Sequence, residues 1–256
     1  MDPRIALAGF IVGTITGISG IGGSSLLAPV LILLLSVKPT LAVGTDLVYS
    51  VPTKLVAAFV HARQKTVDRR LTTWLAIGGL PGALAGLGAF ALLRARIPAG
   101  VLQLMVRHAI GIAILCACLA MVATYLLSAR AARRVGAQPG RSRAGAIAIG
   151  FVVGVLVAVT SIGSGSVTLP LLLLAFPGLS VRSLIGSEIA FAALIVPVAA
   201  LGHTGFGDVD WHVTGSLLAG SLPGVYVGSR LCMRIDERPL RLLILIVLAY
   251  AAYRLL

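Results

Sequence analysis

Apolar runs dominate the chain, and polar residues fall mostly in the short stretches between them. The runs at 71–93, 110–127 and 144–159 approach or reach the length of a bilayer crossing, with only weakly polar interruptions. They are continuous rather than alternating. That excludes a transmembrane β-barrel and leaves helices to satisfy backbone polar groups in lipid. The pattern predicts an all-α polytopic membrane protein with helical segments over about 4–18, 24–37, 41–61, 71–93 and 98–127. A polar basic stretch, 128–143, separates these from a second set over about 144–160, 165–177, 181–203, 211–232 and 237–255.

The second set repeats the first. Ile21-Gly22-Gly23-Ser24-Ser25, with Pro29 following, is answered by Ile162-Gly163-Ser164-Gly165-Ser166 and Pro170. Gly44-Thr45-Asp46 is answered by Gly186-Ser187-Glu188, His61 by His203, and Asp68 by Asp210. Pro81-Gly82 with Gly86 is answered by Pro223-Gly224 with Gly228. The offset is 141 at the first block and 142 from Gly44 onward. Three parts follow: repeat 1 over 1–127, a basic linker over 128–143 and repeat 2 over 144–256, in one integrated transmembrane unit.

One loop differs sharply between the copies. After His61 the chain carries Arg63, Lys65, Arg69 and Arg70, where the second copy has Gly205, Gly207, Trp211 and His212. Equivalent loops with and without basic charge point to opposite sides of a membrane, and so to inverted repeats of about five segments each. The first two segments of each repeat are short, and a glycine-rich break falls between them. They form a re-entrant hairpin, two thin tilted crossings or one broken span. The first two options invert the repeats, with half-helices meeting near the midplane; the third makes them parallel. Counting Lys and Arg outside the core arbitrates: inversion places 14 inside and 6 outside, parallel copies 11 and 9. The rule favours inversion, with the linker cytoplasmic and both termini periplasmic.

Composition agrees. Mean hydropathy is +1.04, with 58% hydrophobic and 11% charged residues. The net charge of +13 reads as basic loops between spans, not as a nucleic-acid surface, because no aromatic-interleaved basic module is present. Cys116, Cys118 and Cys232 sit in apolar helical context and form no disulfide or metal framework. The N-terminus, Met1-Asp2-Pro3-Arg4, lacks the basic region of a cleavable signal peptide. No cofactor and no metal is expected. The partners expected are a small anionic substrate and the lipid bilayer; a homodimer is left open, since the sequence does not set the oligomeric state.

Candidate chemistry clusters at the breaks. Gly22, Gly23, Ser24 and Ser25, with Gly163, Ser164, Gly165 and Ser166, each lie just before an apolar run. A helix start leaves N–H groups unpaired and carries roughly half a positive charge. Glycine lets backbone approach a ligand closely, and serine adds donors. Two such starts brought together by pseudo-symmetry would make a midplane anion site; the alternative is that small residues only permit tight packing. Thr45 and Ser187 join the substrate-facing set. Asp46 and Glu188 read as caps, or as a proton or cation relay, and are assigned to coupling or gating. Lys54 sits midway along its helix, with Asp46 two turns before it, and its counterpart in the second copy is Val196. It is either one half of an ion pair with Asp46 or Glu188, or a counter-charge for an anion and a coupling switch. His61 and His203 fall at helix ends, where local hydrogen bonding is the plainer reading and a proton relay the sharper one. Asp68 and Asp210 read as N-caps. Pro81, Gly82, Gly86, Pro223, Gly224 and Gly228 read as packing or hinge elements.

The blocks around Gly20–Pro29, Ala42–Asp46, Val67-Asp68 and Gly78–Gly86, with their second copies, resemble the sulfite exporter TauE/SafE family, also called the 4-toluene sulfonate uptake permease group. The resemblance covers about residues 5–252. It implies a bacterial inner-membrane carrier, not an enzyme, for sulfur-containing anions such as sulfite, sulfoacetate and other organosulfonates. Where the commonest family pattern has Gly-Thr-Ser, this chain has Gly-Thr-Asp and Gly-Ser-Glu, which resembles a subgroup. The expected function is therefore secondary transport by rocking of one repeat against the other, with protonation of Asp46, Glu188 or Lys54 as a coupling step. A passive anion channel is the alternative. A membrane enzyme lacks any nucleophile–base or metal-ligand constellation.

Overall fold

A computed structural model of the chain describes residues 3–19, 24–131, 142–231 and 237–256. Regular structure among the described residues is entirely helical: α1 (Pro3–Ser19), α2 (Ser24–Leu33), α3 (Pro39–Arg63), α4 (Arg69–Arg96), α5 (Ala99–Ala131), α6 (Arg143–Thr160), α7 (Thr168–Ala175), α8 (Val181–Gly205), α9 (Trp211–Leu231) and α10 (Glu237–Leu255). These are the five segments per repeat that the apolar pattern predicts. The second segment of each repeat is shorter than predicted, because α2 ends at Leu33 and α7 opens only at Thr168.

Among the described residues, α3, α4, α5, α6 and α8 are long and apolar enough to cross a membrane. With 10 and 8 residues, α2 and α7 rise only about 15 and 12 Å, half of a hydrocarbon core or less. Large apolar side chains such as Leu55, Val56 and Phe59 on α3, Leu84 on α4, Leu119 on α5 and Leu201 on α8 point outward and exposed. Water would penalise that surface; lipid does not. The chain is a multi-pass membrane protein.

α6 and α7 form a hairpin. Arg143 at the start of α6 lies over the Trp74 ring near the start of α4, 5.6 Å from its centroid. Phe176 and Leu179, just past α7, line a crevice with Trp74 and Arg70. Both ends of the pair thus sit at one face, so α7 returns towards the face where α6 begins.

α3 and α8 form the centre and run antiparallel. Gly44, near the start of α3, sits against Asp208 just past the end of α8, while Gly186, near the start of α8, sits against Thr66 just past the end of α3. Hydrogen bonds repeat the exchange: Asp210 N–H donates to Thr45 Oγ1 at 3.1 Å, and Asp68 N–H to Ser187 Oγ at 2.9 Å. Asp68 also accepts from the N–H groups of Arg70 and Leu71, and Asp210 from Val213, the capping their positions predict.

The outer helices are exchanged between the repeats. α4 packs along α6 and α1 along α9, so each repeat's first helix lies on the other repeat's fourth. Both seams are backbone against glycine. Gly78, Gly82 and Gly86 meet Ile147, Phe151 and Val155, and at the equivalent positions Gly220, Gly224 and Gly228 meet Ala6, Phe10 and Thr14. Such approach, which the small residues permit, gathers dispersion contacts and supplies association energy where lipid offers no hydrophobic drive. Rigid rocking of repeat 1 against repeat 2 would part both seams. At Gly154 a Cβ would collide with the Gly79 carbonyl and lie 2.8 Å from Ala83 N, whereas Gly88 meets nothing within 4 Å. Gly154→Leu should therefore lower the melting temperature in detergent sharply, by overpacking worth roughly 1–3 kcal/mol or more. Gly88→Leu should leave it unchanged; equal effects would mean the seam does not constrain the fold.

Candidate functional site

The α6–α7 turn meets the polar residues of α3 and α8. Ser161 ends α6 in the left-handed region, at φ 61°, a position that usually takes glycine. Its hydroxyl donates to Asp46 Oδ2 at 2.7 Å, and both residues are buried. Gly163 and Gly165 follow with φ of 132° and 108°, conformations that L side chains avoid. The Gly163 carbonyl accepts from Thr168 N–H at 3.1 Å and from its hydroxyl at 2.6 Å, and the Gly165 carbonyl from Leu169 N–H at 3.2 Å. The first two N–H groups of α7 are thus taken by the turn itself. Donors facing the interior come from the turn and from α3.

Lys54 reaches into this turn. Its ammonium donates to the Ser164 carbonyl at 3.5 Å and lies 3.8 Å from Glu188 Oε1, with Lys54 only 7% exposed and Glu188 4%. Of the two acids flagged as its partner, Glu188 from the opposite repeat holds the ion pair. The contact is long, and Glu188 Oε1 and Ser166 Oγ, both buried, make no hydrogen bond among the described residues. Buried polar groups left without partners cost free energy that ordinary packing does not return.

Of the predicted site residues, Asp46, Lys54, Ser164, Ser166 and Glu188 are brought to one buried region with Ser161, which donates to Asp46 and lies at the edge of the predicted Gly/Ser block. The signal for Ser161 was a serine where a helix C-terminus favours glycine. Thr45 and Ser187 use their hydroxyls at the α9 and α4 junctions instead. Gly22, Gly23 and the side chains of Ser24 and Ser25 lie outside the described residues, as does most of the 128–143 linker.

The histidines diverge. His61 Nδ1 lies 2.9 Å from Thr66 Oγ1, a local contact at a half-buried helix end. His203, in the last turn of α8, is fully buried; its Nε2 is 2.8 Å from the Ala158 carbonyl. It is close to Phe90, Phe206 and the Gly44 backbone, and its Nδ1 lies 3.9 Å from Asp208 Oδ2. Asp208 in turn accepts from Arg94 at 2.6 Å.

A helical bundle whose central antiparallel pair meets a helix-breaking polar turn is a membrane-transport architecture. The chain belongs to the sulfite exporter TauE/SafE family of membrane transporters, whose family model matches residues 5–255. It is 35% identical, over an alignment spanning both chains entirely, to the probable membrane transporter protein YjnA of Bacillus subtilis (strain 168). It is 29% identical to YdhB, over 88% of each chain, and 25% identical to YunE, over 95% of this chain and 93% of that one. Both are named probable membrane transporter proteins of the same organism. No solved structure matches the chain significantly.

Proposed function

We propose that this protein is a secondary carrier for a small sulfur-containing anion (an organosulfonate, sulfoacetate or a sulfite-like ion) in the bacterial inner membrane. It works by alternating access with proton coupling. The observation that carries the reading is the buried meeting of Lys54, Glu188, Asp46 and the Ser161–Ser166 turn. An ammonium offers three donors, and among the described residues one carbonyl lies within hydrogen-bond distance. The remaining donor capacity, with the Ser166 hydroxyl, suits an oxyanion.

Charge supplies the coupling. With both acids ionised the three groups sum to one negative charge, which repels an anion in a poorly screened interior. One proton makes the cluster neutral and a second makes it positive. Anion binding therefore takes up protons and strengthens as pH falls.

Antiparallel α3 and α8 and the α6–α7 hairpin support inverted repeats, and the distribution of basic residues supports a cytoplasmic Arg63–Arg70 loop and periplasmic termini. The close glycine seams support α1 with α9 and α4 with α6 as the units that move, in place of the sequence repeats. In a background lacking Cys116, Cys118 and Cys232, Lys65→Cys and Gly207→Cys should label from opposite sides of sealed vesicles. Labelling from the same side would remove the inversion. Function is tested by thermal shift of the purified protein against sulfite, sulfate, sulfoacetate, taurine, thiosulfate and carboxylates. Stabilisation by a sulfur oxyanion, lost in Ser166→Ala, is expected; no stabilisation by any of them sinks the anion site.

A further inference from the structure

A second polar site, which shares no side chain with the central cluster, lies at the face where α3 begins and α8 ends. A pocket of about 240 Å³ is lined by Thr40, Arg94, Ala99, Leu102, Gln103 and Asp208. Gln103 fixes its wall by pairing with Thr40 through both its amide atoms, at 3.0 and 2.9 Å. Asp208 is only 5% exposed, yet it joins this pocket to the fully buried His203.

The chemistry of His203 is constrained on one side and open on the other. Nε2 faces a carbonyl, which only accepts, so Nε2 carries a proton. Nδ1 has no hydrogen-bond partner among the described residues, and it faces Asp208 Oδ2 at 3.9 Å. A bare ring nitrogen and a carboxylate oxygen are both acceptors, and their lone pairs repel. A proton on Nδ1 turns that repulsion into an ion pair. The elements packed around the ring present the Gly44 backbone on α3, Phe90 and Arg94 on α4, Ala158 on α6 and Phe206 after α8. Among the described residues, the charged groups facing it are Asp208 and Arg94.

We propose that His203, Asp208 and Arg94 form a second proton-binding site, whose protonation frees Arg94 to hold an oxyanion in the adjoining pocket. With His203 neutral, Arg94 neutralises Asp208 through the 2.6 Å contact. A proton from solvent adds to Nδ1 and no covalent bond breaks. The imidazolium then compensates Asp208, and the Arg94 side chain, 43% exposed, turns its guanidinium to the pocket. The first repeat has Thr66 where Asp208 stands, so the device exists at one face only. The anion as ligand rests on the carrier reading above; the proton site does not.

The test uses the full chain in lipid nanodiscs with ¹⁵N-histidine, assigning His203 by the signals lost in His203→Gln. At about pH 6.5, near the ordinary imidazole midpoint, Arg94→Gln should raise the imidazolium fraction of His203 and Asp208→Asn should lower it. Nε2 should stay protonated throughout. A ring that remains neutral between about pH 5 and 8, or identical populations in both variants, overturns the proton site. For the anion, sulfate is added to Lys54→Met protein, which removes the central site. A residual sulfate shift, present at low pH only and lost on adding Arg94→Gln, is expected. Its absence overturns the Arg94 role, whereas a sulfate shift in Lys54→Met equal to wild type counts against the central site alone.

Discussion

Lys54→Met should weaken binding of the transported anion by at least about thirtyfold, because truncating one partner of a buried charge contact costs roughly 2–5 kcal/mol. The change also strands Glu188, so part of any loss will reflect damaged stability, up to about 3–5 kcal/mol if the carboxylate stays charged. The double variant Lys54→Met/Glu188→Gln separates the two roles. If the lysine is only half of a structural ion pair, removing both partners restores melting temperature and anion response together. If it is the counter-charge, stability returns and anion response does not. Thermal melts of the three variants with and without sulfoacetate or sulfite decide it. Recovered binding in the double variant would return Lys54 to the structural role. The second repeat offers a template for the change: the equivalent position is Val196, buried at 1% exposure in α8.

Helix number and most boundaries were legible because each apolar run ends in turn residues, and membrane helices must close their own backbone hydrogen bonds. The pairing of helices was not. In lipid every face of a span is apolar, so hydrophobic periodicity does not tell α1 that its neighbour is α9 and not α4. The signal lay in the glycine rows, and Gly9, Gly13, Gly150 and Gly154 complete those rows against Leu217, Ser221, Leu75 and Gly79. Lys54 shows the same limit. The helical wheel places Asp46 two turns away on its own helix, but the cross-helix geometry of α3 and α8 gives it Glu188 instead. His203 lies at the helix end that the sequence predicts, but its full burial was not legible there. Its burial follows from the close approach of α3 at Gly44, which only the assembled pair of central helices creates. Arg94 and Asp208, 114 residues apart, had no local pattern to connect them.

Asp46→Asn should flatten the pH dependence of anion binding and strengthen binding at alkaline pH. The side chain changes little in shape, and the Ser161 hydroxyl can donate to an amide oxygen as it does to the carboxylate, so folding should survive. What changes is charge. The wild-type cluster carries two acids against one lysine and must take up a proton before it is neutral; the variant is neutral with Glu188 ionised. Glu188→Gln should act in the same direction but leave Lys54 without its 3.8 Å partner, so it should bind the anion more tightly still at high pH. Because the two acids sit near one lysine, their protons belong to the cluster, and wild-type binding should follow macroscopic steps that neither single variant retains. In proteoliposomes both changes should uncouple the flux: anion exchange continues, while an imposed pH gradient no longer drives net accumulation. The measurement is uptake of sulfoacetate or sulfite across a range of external pH, with and without a gradient. If both neutralised variants keep the wild-type response to the gradient, the acids do not couple transport. The buried cluster would then serve a passive anion pathway, whose flux needs no proton at either residue.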